Sequence, residues 1–242
     1  TTKNKYVASW NLSWAIQENV APEYASEEDY ARKCEKKYKN IKRCYRNSLQ
    51  ILKDMNKKYP LHLIGFQEVS DKDLYEKVST NIPHLDSHTR HSLWKPHIKK
   101  VVSVLTCWNS KVFGKMTHEI VFNLSPTLQD SRPCSVVVTD KNFLIINVHF
   151  PWVKTREDIK QIEKKIQETI PREWFKDTTH ILLGDTNDSQ ALINKNQPLV
   201  LKYGRKRYKF HNGLKNDYLL KYFRTCCWHE KGHKWRTDNK SG

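Results

Sequence analysis

Apolar runs that break off at a polar residue recur along this chain and limit what it can fold into. Val7 to Trp10 leads into Asn11, Leu61 to Val69 carries Glu68 near its end, Phe143 to Phe150 holds His149, and His180 to Leu183 runs into Gly184-Asp185-Thr186-Asn187. Short apolar stretches of this kind read as buried strands. Val101 to Trp108, Glu119 to Leu124 and Thr225 to Trp228 read the same way, and Pro133 to Thr139 forms a hairpin with Phe143 to Phe150 that turns at Asp140-Lys141-Asn142. Ser26, followed by Glu27, Glu28 and Asp29, is a helix start. Tyr38, Ile41, Tyr45, Leu49 and Leu52 then recur at helical spacing until Pro60 ends the stretch. Leu74 to Val78 opens a short helix, and Thr155 to Thr169 is a longer one with Ile159, Ile162 and Ile166 on one face. Ser87 to Lys100, rich in His and Lys, reads as a loop. Strands and two long helices mix without a strict βαβ alternation. The expected class is therefore an α/β (α+β) layered sandwich, two packed sheets with helices outside.

The chain has 242 residues and no internal repeat, so a single domain over residues 1–242 is expected. Lys and Arg exceed Asp and Glu by 43 to 26, a net charge of +17. A positive field of that size has nucleic acid as its commonest partner, which is the reading favoured here, with a lysine-rich solvated surface as the alternative. No apolar run is long enough to span a membrane. Thr1 to Trp10 does not carry the basic region and apolar stretch of a signal peptide. The six cysteines (34, 44, 107, 134, 226 and 227) form no dense framework and no CxxC, which predicts reduced thiols and an intracellular, cytoplasmic or nuclear setting, with secretion left open as the alternative. Cys226-Cys227-Trp228-His229 with His233 has the residue types of a zinc site. Adjacent cysteines on a strand point to opposite faces, so zinc is not expected there. A monomer is the expectation.

Asn11, Glu68, His149, Asp185 and Asn187 make a chemically coherent set. Strand ends let a rigid scaffold hold functional groups at a rim. Hard oxygen ligands suit Mg²⁺ or Mn²⁺, and a His and an Asp beside such a metal suit proton transfer and phosphoryl binding.

Ser9-Trp10-Asn11, Phe66-Gln67-Glu68-Val69, Asn147-Val148-His149-Phe150 and Gly184-Asp185-Thr186-Asn187 resemble, in order and spacing, the motifs of the endonuclease/exonuclease/phosphatase superfamily. The resemblance covers residues 9 to 187. It implies a deoxyribonuclease I-like four-layer sandwich and a Mg²⁺-dependent (or Mn²⁺-dependent) hydrolase that directs water in line at phosphorus. It also implies roles. Glu68 would bind the metal with Asn11 at its side. Asp185 would orient or deprotonate water, Asn187 would hold a phosphate oxygen, and His149 would stabilise the transition state. Arg132, in Ser131-Arg132-Pro133, stands where many members have a basic residue. The family also ends in a Ser-Asp-His motif on a late strand. This chain reaches Ser241-Gly242 without one, Asp238 being the nearest acidic residue. The expectation is a domain lacking that last strand, with a degenerate, non-catalytic member as the alternative.

Substrate choice would lie in loops. Gly204 to His211 interleaves Arg205, Arg207, Tyr208 and Phe210 and could grip a phosphate backbone, or it could be an exposed hairpin with its aromatics turned inward. His88, Arg90, His91, Lys95, His97, Lys99 and Lys100 form a second basic cluster. Trp94 and Trp152 could stack on a base. Packing is the simpler reading for both, and Trp152, just past His149, is the better placed to reach substrate. The function expected is a nuclease acting on DNA or RNA phosphodiester bonds. The alternatives are an inactive module that binds nucleic acid or protein, and a phosphodiesterase for a non-polymeric ester.

Overall fold

The computed structural model describes residues 5–14, 17, 41–124, 131–151, 156–185 and 199–210. The helix start at Ser26, the strand at Thr225 to Trp228, Asp238, and the Cys226, Cys227, His229 and His233 cluster lie outside them, as do Trp152 and Asn187.

Two mixed four-stranded sheets face each other. The first holds β1 (Tyr6–Asn11), β2 (Leu61–Val69), β4 (Lys100–Trp108) and β3 (Ser87–Lys95) in that order. The second holds β5 (Met116–Asn123), β6 (Pro133–Thr139), β7 (Phe143–His149) and β8 (Thr179–Asp185). Each sheet has one parallel pair at an edge, β1 with β2 and β7 with β8, and is otherwise antiparallel. Helices α1 (Ile41–Lys58) and α2 (Leu74–Asn81) cover the first sheet, α3 (Ser110–Phe113) is a single turn after β4, and α4 (Arg156–Thr169) covers the second sheet. A hairpin of β9 (Leu199–Tyr203) and β10 (Lys206–Phe210) lies along α4, where Glu163 Oε1 accepts from the Val200 N–H at 2.9 Å. This is the four-layer α/β sandwich that the strand pattern predicts.

Local sequence explains the outer layers. On α1 the apolar positions Tyr45, Leu49, Leu52 and Met55 form one stripe against Ile64, Phe66 and Leu105. Lys57 and Lys58 sit in its last turn, where the helix dipole favours cations, and Pro60 follows. On α4, Ile159, Ile162 and Ile166 bury against Leu144, Ile146 and Val148 of β7. Among the described residues no helix is long and apolar enough to cross a membrane. Cys107 and Cys134 are buried free thiols.

Three expectations need correction. Ser87 to Lys100 is not a loop: Ser87 to Lys95 is β3, in unbroken register with β4. Its polar composition hid the alternation. Thr89 and Lys95 are buried while His88, Ser92 and Trp94 on the opposite face are exposed. The basic cluster read there is therefore no single patch. His88 stacks on Tyr75, Arg90 donates to the Asp71 and Lys72 carbonyls, and His91 meets Asn123. Trp94 does not pack either, being 53% exposed at the hairpin tip.

The layer between the sheets changes character along its length. Leu63, Trp108, Val137, Ile145 and Leu183 form an apolar cluster at one end. Towards the other end stand Gln67, Asn147, Thr106, Ser135 and Ser9. Gln67 Nε2 donates to Asn147 Oδ1 (2.8 Å) and Ser9 Oγ (3.2 Å), and Asn147 Nδ2 donates to the Leu105 carbonyl (3.1 Å) and Thr106 Oγ1 (3.1 Å). These buried amides have partners on both sheets, as buried polar groups must. Gly65 lets the sheets approach, since a Cβ there would lie 2.8 Å from Leu183 Cβ.

Candidate active site

The parallel pair in each sheet sends two strand ends to the same rim. Along the inward faces, β1 reads Val7, Ser9, Asn11, β7 reads Ile145, Asn147, His149, and β8 reads Ile181, Leu183, Asp185. Each passes from apolar through small or polar to a functional group. Asn11 Nδ2 donates to Asp185 Oδ2 at 2.8 Å, closing a contact between residues 174 apart in sequence. His149 and Asp185 are register partners, and His149 Nε2 lies 3.6 Å from Glu68 Oε1 and 4.0 Å from Asp185 Oδ2. Asn11, Glu68, His149 and Asp185 are thus brought together from four strands.

The backbone shapes this rim. The Asn11 Oδ1 atom accepts from the Ser13 N–H at 2.9 Å, turning the chain as β1 ends. Glu68 has φ 54°, in the left-handed region, where the β2–β4 register shifts between Phe66 and Val69. A bulge re-aims a side chain, and a carboxylate held in a sparsely populated conformation needs support. Gln17 supplies it: Nε2 donates to the Glu68 carbonyl (2.8 Å) and the Ser13 carbonyl (3.2 Å), while Oε1 accepts from Ser70 N (2.9 Å) and Asp71 N (3.0 Å). Gln17 was not legible from sequence, because it sits in no motif and acts only through backbone brought to it by the fold.

His149 is 3% exposed, and its Nε2 atom has no hydrogen-bond partner. Its pKa is pushed well below the ordinary 6.5 by burial first, then by the charges of Arg132 and Lys95. The ring is therefore neutral near pH 7, and its approach to Glu68 and Asp185 is not an ion pair. Burial likewise lowers His62, His88 and His180. Folding refuses protons that these residues take up in the unfolded chain, so stability is full above pH 6.5 and falls as pH drops below it. Tm measured from pH 7.5 to 5 should decline, and His149→Gln should flatten the decline. Parallel curves for the two proteins would show that His149 is not the buried neutral group described.

Arg132 precedes β6, half-buried, and its Nε is enclosed without a hydrogen-bond partner. Arg205 and Arg207 are exposed, and no contact joins them to Asn11, Glu68, His149 or Asp185 among the described residues. On the same hairpin, Tyr208 packs on Phe175 (4.8 Å between ring centroids) and on His180 (5.2 Å) near the start of β8. Five strand residues, roughly 16 Å, separate that end from Asp185. Tyr208 of this hairpin thus packs at the end of β8 away from Asp185. Glu68, Asp185 and the Asn11 amide are hard oxygen donors. Among the described residues no three His, Cys, Asp or Glu side chains converge as a metal cage. One or two carboxylates with waters and substrate oxygens is the usual Mg²⁺ arrangement, so these residues fit that ion.

No protein-family model and no curated protein matches the sequence. Similar solved structures exist. The mannosyl-6-phosphatase of Bacteroides thetaiotaomicron VPI-5482 is 18% identical over 76% of this chain and 66% of its own, with a TM-score of 0.50. An endonuclease/exonuclease/phosphatase family protein from Bacteroides thetaiotaomicron is 19% identical over 75% of this chain and 61% of its own, with a TM-score of 0.49. The catalytic domain of human nocturnin is 12% identical over 59% of this chain and 57% of its own, with a TM-score of 0.42. The chain spans less than two thirds of the length of each. The two mixed sheets, their order and the likeness to the mannosyl-6-phosphatase show that this chain has the endonuclease/exonuclease/phosphatase fold.

Proposed function

We propose that the chain is a divalent-metal-dependent phosphoester hydrolase that cleaves phosphodiester bonds in nucleic acid. The observation that carries this reading is the buried, neutral His149 within 4.0 Å of two carboxylates at the rim where four strands end. Glu68, with the Asn11 oxygen beside it, would hold Mg²⁺ or Mn²⁺. The metal, when bound, supplies positive charge against the phosphoryl oxygens. Asp185, oriented by Asn11, accepts the proton of the attacking water. Neutral His149 presents Nε2 to a non-bridging oxygen, as the N–H donor in one tautomer, and Arg132 adds fixed charge. Asn187, expected to hold a phosphate oxygen, lies outside the described residues, as does Trp152.

Nucleic acid is the substrate class that the net charge of +17 supports. A small phosphate ester is the second reading, favoured by the fold's likeness to a mannosyl-6-phosphatase. Labelled single- and double-stranded DNA and RNA, and a hexose 6-phosphate, would be incubated with and without Mg²⁺ or Mn²⁺. Metal-dependent cleavage of a polynucleotide is expected, falling to background in Glu68→Ala. Cleavage of the sugar phosphate alone would select the second reading. If wild type exceeds Glu68→Ala on none of them, the hydrolase reading is wrong.

A further inference from the structure

Ser13, two residues past Asn11, and Glu68 are both non-glycine residues in the left-handed region, at φ 52° and 54°. Such conformations persist only where their surroundings hold them. One side chain meets both. Gln17 Nε2 donates to the Glu68 carbonyl at 2.8 Å and to the Ser13 carbonyl at 3.2 Å. Its Oε1 accepts from the Ser70 and Asp71 N–H groups at 2.9 and 3.0 Å. Two acceptors at one end and two donors at the other fix which way the amide faces, since a flip would set its NH₂ against two N–H groups. The Oε1 end rests on an anchored loop. Asp71 Oδ2 accepts from the Tyr45 hydroxyl of α1 and from Lys77 Nζ of α2, both at 2.5 Å. The Asp71 carbonyl accepts from Arg90 Nη1 of β3 at 3.2 Å. The Nε2 end therefore passes the rigidity of two helices and a strand to the bulge at Glu68 and to the turn after β1. Asn11 belongs to that turn, because its Oδ1 accepts from Ser13 N at 2.9 Å.

We propose that Gln17 is a positioning residue for the metal site, its amide holding Asn11 and Glu68 at one fixed spacing so that a divalent cation meets both without rebuilding the loops that carry them. The assignment rests on the metal-dependent reading above and adds a residue that lies in none of the sequence motifs. Gln17 acts only through the two backbone carbonyls and touches neither metal nor substrate. Removing it releases two strained residues at once, and the cation must then order them on binding. Its loss should fall on metal affinity, and the chemical step should be unaffected once the site is filled.

The test titrates Mn²⁺ alone into the metal-free full chain by calorimetry, for wild type, Glu68→Ala, Gln17→Glu, Gln17→Met and Lys77→Met. Glutamate keeps an acceptor for Ser70 and Asp71 and loses the donor. Methionine keeps the length and loses both. Lys77→Met loosens the loop but leaves the four bonds of the amide. Both Gln17 variants should bind Mn²⁺ at least about tenfold more weakly, the lower end for a group that orients a metal ligand. Lys77→Met should lower Tm and keep the wild-type Mn²⁺ affinity. On whichever phosphoester wild type cleaves, the Gln17 variants should need more Mn²⁺ for half-maximal rate and reach the wild-type kcat at saturation. Unchanged Mn²⁺ affinity in both Gln17 variants would overturn the assignment. So would an equal loss in Lys77→Met, which marks general loosening of the loop, or a kcat that saturating Mn²⁺ does not restore. Failure of both Gln17 variants to fold would also overturn it, since that marks a brace for the whole fold. If wild type binds no more Mn²⁺ than Glu68→Ala, the metal site falls and this assignment with it. The expected pattern of Mn²⁺ binding without turnover on any substrate would support the assignment and sink the hydrolase reading alone.

Discussion

Asp185→Asn is expected to lower phosphoester turnover by about 10³-fold, within the range for losing a positioned general base, with little change in KM or Tm. The substitution is isosteric, and the new side-chain oxygen can still accept the 2.8 Å bond from Asn11 Nδ2. What disappears is the negative charge facing His149 and the attacking water. Because Asp185 is only partly buried, at 17% side-chain exposure, removing its charge leaves no large desolvation deficit to unfold the protein. Steady-state kinetics beside circular-dichroism melting would check this. A variant that keeps more than a tenth of wild-type kcat would show that Asp185 is not the base, and the proton would have to leave by another route.

Gly184→Ala should be the most damaging small substitution to stability. A Cβ at residue 184 would lie 2.4 Å from Val148 Cγ2 and 2.4 Å from the Val148 carbonyl oxygen. The second of these is backbone in the parallel β7–β8 ladder and has no rotamer by which to escape. Overpacking of this kind costs about 3 kcal/mol at the upper end of the usual range. For a chain of this size that corresponds to a Tm lowered by roughly 10 °C. Activity should fall as well, because Gly184 N donates to Ser9 Oγ at 2.8 Å and so ties β8 to β1 just before Asp185 meets Asn11. Calorimetry reads the first effect. A Tm within about 2 °C of wild type would show that the strands part cheaply, contrary to the packing described.

The fold was legible in the sequence wherever a strand is buried on both faces. β2, β6 and β7 read as apolar runs, as does β8 although only its Leu183 is buried, and the hairpin turn at Asp140-Lys141-Asn142 falls where the sequence predicts it. β3 was not legible, because one of its faces is solvated and the other carries Thr89, His91 and Lys95 towards the second sheet. Polar residues on both faces erase the alternation that marks a half-buried strand. The basic hairpin at Arg205 and Arg207 shows the converse. Its composition suited a phosphate grip, but composition carries no position, and the structure pairs β9 with β10 along α4 with Tyr208 against His180 at the start of β8.

By itself the sequence determined the layered class and the strand ends that carry Asn11, Glu68, His149 and Asp185, since hydrophobic periodicity and the residue that interrupts it are local properties. Only the tertiary structure decided that these four ends share one rim, that Gln17 clamps the strained backbone at Glu68, and that Lys95 is buried against the Ser131 carbonyl. Those depend on which strands pair in parallel and how the two sheets face each other, contacts between residues as far as 174 positions apart whose energies no local pattern encodes.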